Sequence, residues 1–544
     1  MLRVVRLIAT LIALVVPRNA AFAQSRVAPA PGLPTQVTVP AYAQPAPALA
    51  QLAPNAPPGS LEIERPRAGT VPLSLVQAVR TALLRSPALI SARGNLELAR
   101  GTTLSARGPF DVTLGAGLNH QRNVSPSFRG EATVNDLSTI SASATTNLIW
   151  GTNIAAVVGM SRRTSALSAP YYSADPTLTI LQPLLRNAGK AGFASAVVAG
   201  EYAERAADHT LAHVAQLQAF AVIDAYWVLV GADEELGLFQ DAAARSQRML
   251  SETQVLVDAD QRPRGDLRAL EAGYASRRRD LIEAGRGRVS AIHALRLAMG
   301  LELAEGADWV PSDSFPAPAL PPMAPAQLAE RALTVRRDLQ AADDTVRSAS
   351  AAERGADHNT LPRLDLTVSV GYAGATDRTG ASRFFDALGR NVGGVNAAGG
   401  VNLEVPLENS AARGQLQQAA ALRLLAETAR ADLARNLRTN VLAAYDVLRA
   451  EVESLEAARQ AESAYAQALD DERSKLRAGL STVLDTVLTE DLLTDATRSR
   501  IGTELALAQA LARLRLELGA LPSREPDASR ALLGVLDAGV IDGQ

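Results

Sequence analysis

Two periodicities divide this chain. In LDLTVSVGY (364–372), Leu364, Leu366, Val368, Val370 and Tyr372 alternate with Asp365, Thr367, Ser369 and Gly371. STISASATTNLIW (138–150) does the same, with Ile140, Ala142, Ala144, Leu148 and Trp150 set against Thr139, Ser141, Ser143, Thr145 and Asn147. DVTLGAGLNH (111–120) behaves likewise. Successive side chains of a strand point to opposite faces, so a period of two predicts strands with one apolar and one polar face. Strands are predicted over 110–121, 138–150, 153–162 and 176–183, and again over 361–373 and 398–407. At about ten residues they fit the tilted strands of an outer-membrane barrel, apolar outside and wet inside. A soluble sheet with one solvated face would show the same alternation.

The second periodicity is helical. No proline interrupts 410–476, a stretch that would span roughly 100 Å at about 1.5 Å per residue. One apolar line runs Leu422, Leu425, Ala429, Leu433, Leu437, Val441, Ala444, Leu448, Val452, Leu455. Its spacing of about 3.67 residues lies near that of a straight helix and above the 3.5 of a left-handed coiled coil. Each long helix then meets a breaker. The second reads SKLRAGLSTVLDTVL (474–488), with Gly479; the first reads VLVDADQRPRGDLRAL (255–270), with Pro263 and Gly265. Antiparallel helical hairpins are the expected result. Pro183 and Pro406 stand where alternation stops and helical spacing starts. Proline lacks the N–H a ladder needs and has the φ of a helix's first turn, so both read as strand-to-helix switches.

The pattern occurs twice. Tyr445, Asp485 and Gly519 answer Tyr226, Asp266 and Gly300 at a constant offset of 219. Pro406 answers Pro183 at 223, and ERALTVRRDL (330–339) answers RTALLRSPAL (80–89) at 250. An internal duplication fixes the reading of each half: helix, alternating segment, proline, long helix, reversal, long helix. The spacing from Ala82 to Pro183 exceeds that from Ala332 to Pro406 by 27 residues, which is room for one extra hairpin in the first half. Four matched strands cannot close a barrel, because about eight is the minimum. An open edge in lipid would leave backbone groups unsatisfied. Several chains must therefore share one barrel.

Composition narrows the setting. Arg3 and Arg6, the apolar run Leu7–Val16 and Ala21-Phe22-Ala23 form a secretory signal over 1–23. Residues 24–70 are Pro/Ala-rich and too poor in apolar bulk to fold, so a flexible lead-in is expected. A Pro-rich connector, 308–325, separates a first repeat (71–307) from a second (326–520), and a tail covers 521–544. Removing Arg3, Arg6 and Arg18 with the signal leaves 51 of the 54 basic residues against 57 acidic ones. That balance argues against nucleic acid. There is no cysteine, so disulfides, thiol catalysis and thiolate metal sites are excluded. No run of 18 apolar residues marks a membrane-spanning helix.

On these residues the chain resembles the TolC family of outer-membrane efflux and secretion channels. LSLVQAVRTALLRSPAL (73–89) looks like that family's first helix, QPLLRNAG (182–189) like its strand-to-helix junction, and AGLSTVLD (478–485) like its periplasmic tip. Arg337 departs from it, where the second copy usually has proline, and Asp260 stands in place of a tip glycine. The resemblance implies a mainly α protein with membrane β: long helical hairpins plus short strands, assembled as a homotrimer with a 12-stranded β-barrel continuous with a 12-helix α-barrel. It implies an exit duct of a tripartite efflux or type I secretion system, in the outer membrane and reaching into the periplasm. Its partners would be outer-membrane lipid, a periplasmic adaptor and an inner-membrane transporter, with no cofactor. Gly479, Leu480 and Ser481, with Arg262 and Pro263 at the other tip, would meet the adaptor. Asp485 would form an acidic ring at the mouth and Leu488 an apolar constriction, at a place where some members carry a second acid. Asp485 could instead simply cap or flank its helix. The competing readings are a periplasmic coiled-coil scaffold or adaptor that never enters the membrane, and an envelope enzyme.

The chemistry an enzyme needs is hard to find. His209 and His213 have i, i+4 spacing, but Thr210 stands where a zincin has Glu. They read as solvated residues on a tunnel wall. His120, His293 and His358 are scattered, and no G-x-S-x-G, P-loop or G-x-G-x-x-G occurs. Arg277-Arg278-Arg279 reads as a solvated helix face.

Overall fold

The computed structural model describes residues 71–126, 132–165, 168–260, 263–302, 308–376, 383–389 and 391–522. The signal segment, the Pro/Ala-rich lead-in, Arg262 and residues 523–544 of the tail lie outside the described residues.

The duplication is visible element by element. A short strand β1 (Val71–Leu73) leads into α1 (Leu75–Arg85) and α2 (Pro87–Arg107), and the second repeat opens with α6 (Pro325–Val335) and α7 (Arg337–His358). Ser74 starts α1 with a capping box, its hydroxyl accepting from Gln77 N while Gln77 returns the bond to Ser74 N. Two long hairpins follow: α4 (Ser195–Asp258) with α5 (Arg264–Ala298), and α9 (Ser410–Arg477) with α10 (Val483–Glu517). At 68 residues, α9 matches the proline-free stretch. Helices α5 and α10 are each 35 residues long and begin and end 219 residues apart.

The helical core centres on α4. Ala219, Val222, Ile223, Tyr226, Trp227 and Leu229 are fully buried and pack with Leu75, Val79 and Ala82 of α1 and Leu295 of α5. This stretch makes α4 apolar enough in composition to cross a membrane, and its burial among other helices gives that apolarity a different use. The second core joins Leu328 and Ala332 of α6 to Val441, Leu448 and Leu455 of α9 and Leu507, Leu511 and Leu514 of α10. The apolar line along α9 is therefore buried from Leu437 downward, whereas Leu422 and Leu425 stay exposed. The Pro-rich connector is built into the first core. Its strand β6 (Trp309–Pro311) pairs in parallel with β1, and Phe315 stacks on Trp227. Asp313 accepts from the Tyr226 hydroxyl at 2.8 Å and from Leu75 N at 2.7 Å.

Six strands form a single antiparallel sheet in the order β2-β3-β4-β5-β7-β8. They are β2 (Thr113–Pro126), β3 (Ala132–Asn147), β4 (Asn153–Ser165), β5 (Ser168–Pro183), β7 (Arg363–Thr376) and β8 (Asn391–Glu404). Each is 13 to 16 residues long, more than the ten expected. The hairpin β3–β4 lies inside the sheet rather than beside it. A short helix α8 (Arg383–Leu388), in the β7–β8 connection, packs Ala387 on Met160 and Ala174, and the Tyr372 hydroxyl donates to Leu388 O.

The two prolines end strands instead of starting helices. Pro183 is the last residue of β5, and Pro406 lies two residues past β8. One turn of helix, α3 (Gly189–Phe193), precedes α4. The chain changes direction at left-handed residues, Asn187 (φ 64°) and Gly189 (φ 73°) in the first repeat and Asn409 (φ 48°) in the second. Proline cannot take that conformation, which explains why the turn falls beyond it.

Candidate functional site

Two regions can carry function: the sheet and the two helical reversals. The register places Leu114, Ala144, Ala156, Leu178, Val370 and Ala397 in one row across all six strands. Ile154, Ile180, Val368 and, further along, Leu366, Val401 and Leu403 share that face. Most of its large side chains are exposed, among them Leu118 at 77% and Val401 at 66%. The opposite face carries Thr113, Thr145, Thr179 and Ser369 in one row and Gly117, Ser141, Gly159 and Asp175 in another. An exposed apolar band backed by a polar face is the division that lipid outside and water inside require. Strands β2 and β8 each have one edge without a partner strand among the described residues.

The second reversal is built around Gly479, with φ 74°. Gly479 N donates to Leu476 O and Leu480 N to Lys475 O, the two bonds of a Schellman end. Leu480 projects with 80% exposure. Ser481 Oγ donates to the Glu472 carboxylate. That bond, followed by the one from Lys475, holds Glu472 below the usual carboxylate range. Thr482 then caps α10. Its hydroxyl accepts from Asp485 N at 3.2 Å, and the Asp485 carboxylate accepts from Thr482 N at 3.3 Å and from its hydroxyl at 2.6 Å. Asp485 is thus the acidic half of a capping box, exposed at a helix N-terminus that favours negative charge. Leu484, Leu488 and Leu492 follow at helical spacing and are exposed. At the first reversal Asp260 takes the left-handed position with φ 54°, and Pro263 is the residue before α5, where Asp266 occupies the first turn.

The hairpins are tied together by charge. Arg245 of α4 pairs with Glu490 of α10 at 2.5 Å, Arg498 of α10 with Glu235 of α4 at 2.7 Å, and Arg277 of α5 with Asp491 of α10. Arg277 is therefore turned inward, whereas Arg279 is 77% exposed. The two histidines are also less solvated than expected. His209 faces Asp344 at 3.6 Å and His213 faces Asp338 at 3.9 Å, both across the α4–α7 contact. Among the described residues no group of three His, Asp or Glu could hold a metal ion.

The alternative of Asp485 as a helix cap is thus realised, and the Thr482-x-x-Asp485 spacing is the sequence signal for its partner. The left-handed Asn187 and Asn409 carried a weaker signal, as Asn near a strand end.

A model of the outer membrane efflux protein family matches residues 328–520, which run from α6 to the end of α10. Over its second repeat the chain is similar to the outer membrane efflux protein family. The duplication relates the first half to the matched second half. In fold the chain is similar to the outer-membrane channel OprN, with a TM-score of 0.60 and 17% identity over 82% of this chain and 89% of that one. It is also similar to the CmeC outer membrane channel of Campylobacter jejuni (TM-score 0.60, 12% identity, 90% of this chain and 98% of that one). A third is the MtrE outer membrane channel of Neisseria gonorrhoeae in its open state (0.57, 20%, 82% and 88%). No curated protein matches the chain in sequence. The family match and the fold likeness point alike to outer-membrane channels.

Proposed function

We propose that this protein is an outer-membrane channel, the passive exit duct of a tripartite efflux or type I secretion system. The sheets of several copies form one barrel in the outer membrane, and their long hairpins form a tunnel across the periplasm. The observation that carries this reading is the sheet: an apolar face, a polar face and two unpaired edges. In lipid those edges require partners, because each unsatisfied backbone group costs several kcal/mol. Three copies, as the family resemblance implies, would place twelve long helices in the tunnel. The same resemblance gives four strands per chain, hence twelve; the main sheet of this chain has six among the described residues.

At the periplasmic end, Gly479, Leu480 and Ser481 would contact an adaptor that joins the duct to an inner-membrane transporter, with Pro263 and Arg262 at the companion tip. Three copies of Asp485 would line the mouth, and Leu488, one turn along, would narrow it.

Mass measurement of detergent-extracted protein, paired with planar-bilayer recording, tests the reading. Three chains and a discrete conductance are expected. A monodisperse folded monomer, or a protein that leaves the membrane fraction on salt washing and forms no pore, would overturn it in favour of a periplasmic scaffold.

A further inference from the structure

The hairpin β3–β4 has no counterpart in the second repeat, yet it occupies the middle of the first repeat's strands. We propose that all six strands of each chain enter the barrel wall, so that three copies close eighteen strands rather than twelve. This rests on the channel reading above. Four observations carry it.

The first is the continuity of the apolar band. Ala144 of β3 pairs with Leu114 of β2 and Ala156 of β4, and Ala156 pairs with Leu178 of β5. Ile140 faces Leu118 and Met160 in the same way. On the other face Ser141, Ser143 and Thr145 continue the polar rows of β2. An extra hairpin projecting into water would have no reason to keep its lipid-facing and lumen-facing residues in register with both neighbours.

The second is the turn that joins β3 to β4. Leu148 N donates to Thr152 O and Gly151 N to Leu148 O, both at 2.8 Å, and Trp150 O accepts from Gly189 N at 3.0 Å. Gly151 has φ 87°, and a Cβ there would stand 2.3 Å from Asn187 O. The hairpin is therefore seated on the junction between β5 and α4. Leu148, Ile149 and Trp150 are exposed at this level, where a membrane barrel carries its aromatic girdle.

The third is parity. Five antiparallel steps separate β2 from β8, so the two edges run in opposite directions. Each is fourteen residues long. The β8 edge of one copy can pair antiparallel with the β2 edge of a second copy, and the alternation continues unbroken around the ring.

The fourth is width. Helices α2, α4, α7 and α9 pack each on the next, and they join β2, β5, β7 and β8 in that same lateral order. Four helices side by side span about 32–40 Å. Six strands 4.8 Å apart and tilted by about 40° span about 38 Å, whereas four would span about 25 Å. Six strands match the arc of the four helices above them, and the wall needs no taper where it meets the tunnel.

The absence of cysteine makes the test direct. Single cysteines are placed at Ala144 and Ala156 on the apolar face of the hairpin and at Ser143 and Thr145 on its polar face, with Val370 and Ser369 of β7 as references. Each variant, in outer membranes, is reacted with a charged, membrane-impermeant maleimide and with an apolar one. The expected result is that Ala144→Cys and Ala156→Cys are at least tenfold slower with the charged reagent than Ser143→Cys and Thr145→Cys, as Val370→Cys is relative to Ser369→Cys. If both faces of the hairpin react quickly while Val370→Cys stays protected, the barrel has twelve strands and the inference fails with the channel reading intact. If Val370→Cys also reacts quickly, the channel reading fails too.

Discussion

Asp260 and Gly479 occupy the same left-handed backbone position, 219 residues apart, one at each helical reversal, with φ of 54° and 74°. Only one of them lacks a Cβ. Asp tolerates this region better than most residues, but it still crowds the following carbonyl. Asp260→Gly should relieve that strain, and after the entropy a glycine loses on folding the first tip should gain about 0.5 kcal/mol. Amide exchange in the last turns of α4 should slow about twofold. Unchanged or faster exchange would show that Asp260 is not strained.

Gly479 separates strain from contact. No atom lies within 4 Å of where its Cβ would be. Gly479→Ala and Gly479→Trp therefore carry a similar backbone cost, about 1 kcal/mol, and differ in what they present to a partner. Export should remain close to wild type with Ala and fall at least tenfold with Trp, with equal amounts of assembled protein in the outer membrane. Normal export from Gly479→Trp would remove the adaptor contact from this tip.

The capping role of Asp485 can be divided from its role at the mouth. Thr482→Ala removes the cap, at a cost of about 1 kcal/mol, and leaves the charge. Asp485→Ala removes the charge and the carboxylate's bonds to Thr482 but keeps the backbone N–H bond to the Thr482 hydroxyl. Single-channel conductance should rise, and cation preference and divalent block should fall, with Asp485→Ala and not with Thr482→Ala. Equal records from the two variants would make Asp485 a helix cap alone.

Acid should loosen the α4–α7 contact. Burial lowers the His213 pKa from 6.5; the Asp338 charge opposes that shift and the Arg336 charge adds to it. A folded-state pKa below the unfolded value means that the unfolded chain takes up the proton first. The stability His213 contributes is therefore present above pH 6.5 and is lost as pH falls from there through the lowered folded value. His213→Gln should flatten the pH dependence of unfolding in that window. An unaltered slope would place the titrating group elsewhere.

The constant offset of 219 makes the paired hairpins legible in the sequence, because α5 and α10 differ by no insertion. The alternation marks strand β8 only from 398 rather than 391, because Gly393, Gly394, Gly399 and Gly400 blank it out. Pairing with β7 supplies its structure instead. The pairing of β6 with β1 was not legible, since three residues rich in proline look like linker until a neighbouring strand gives them hydrogen bonds. His209 and His213 looked solvated because their partners, Asp344 and Asp338, lie more than a hundred residues away in α7. At the tip, the capping box could be read from Thr482 and Asp485 alone, whereas a ring depends on other copies of the chain.

Gln216 of α4 donates to Gly519 O at 3.0 Å and to Leu521 O at 3.1 Å. Leu516 and Leu521 lie in the same apolar cluster as Tyr226 and Trp227 of the first repeat. The first half of the polypeptide therefore waits for residues 516–521, some three hundred positions later, before its interior can be sealed. A chain delivered amino-end first must remain unfinished through the whole of translocation, and one that stops short of Gly519 leaves an open seam beside Trp227. Synthesis of the second repeat is thereby written into the packing of the first.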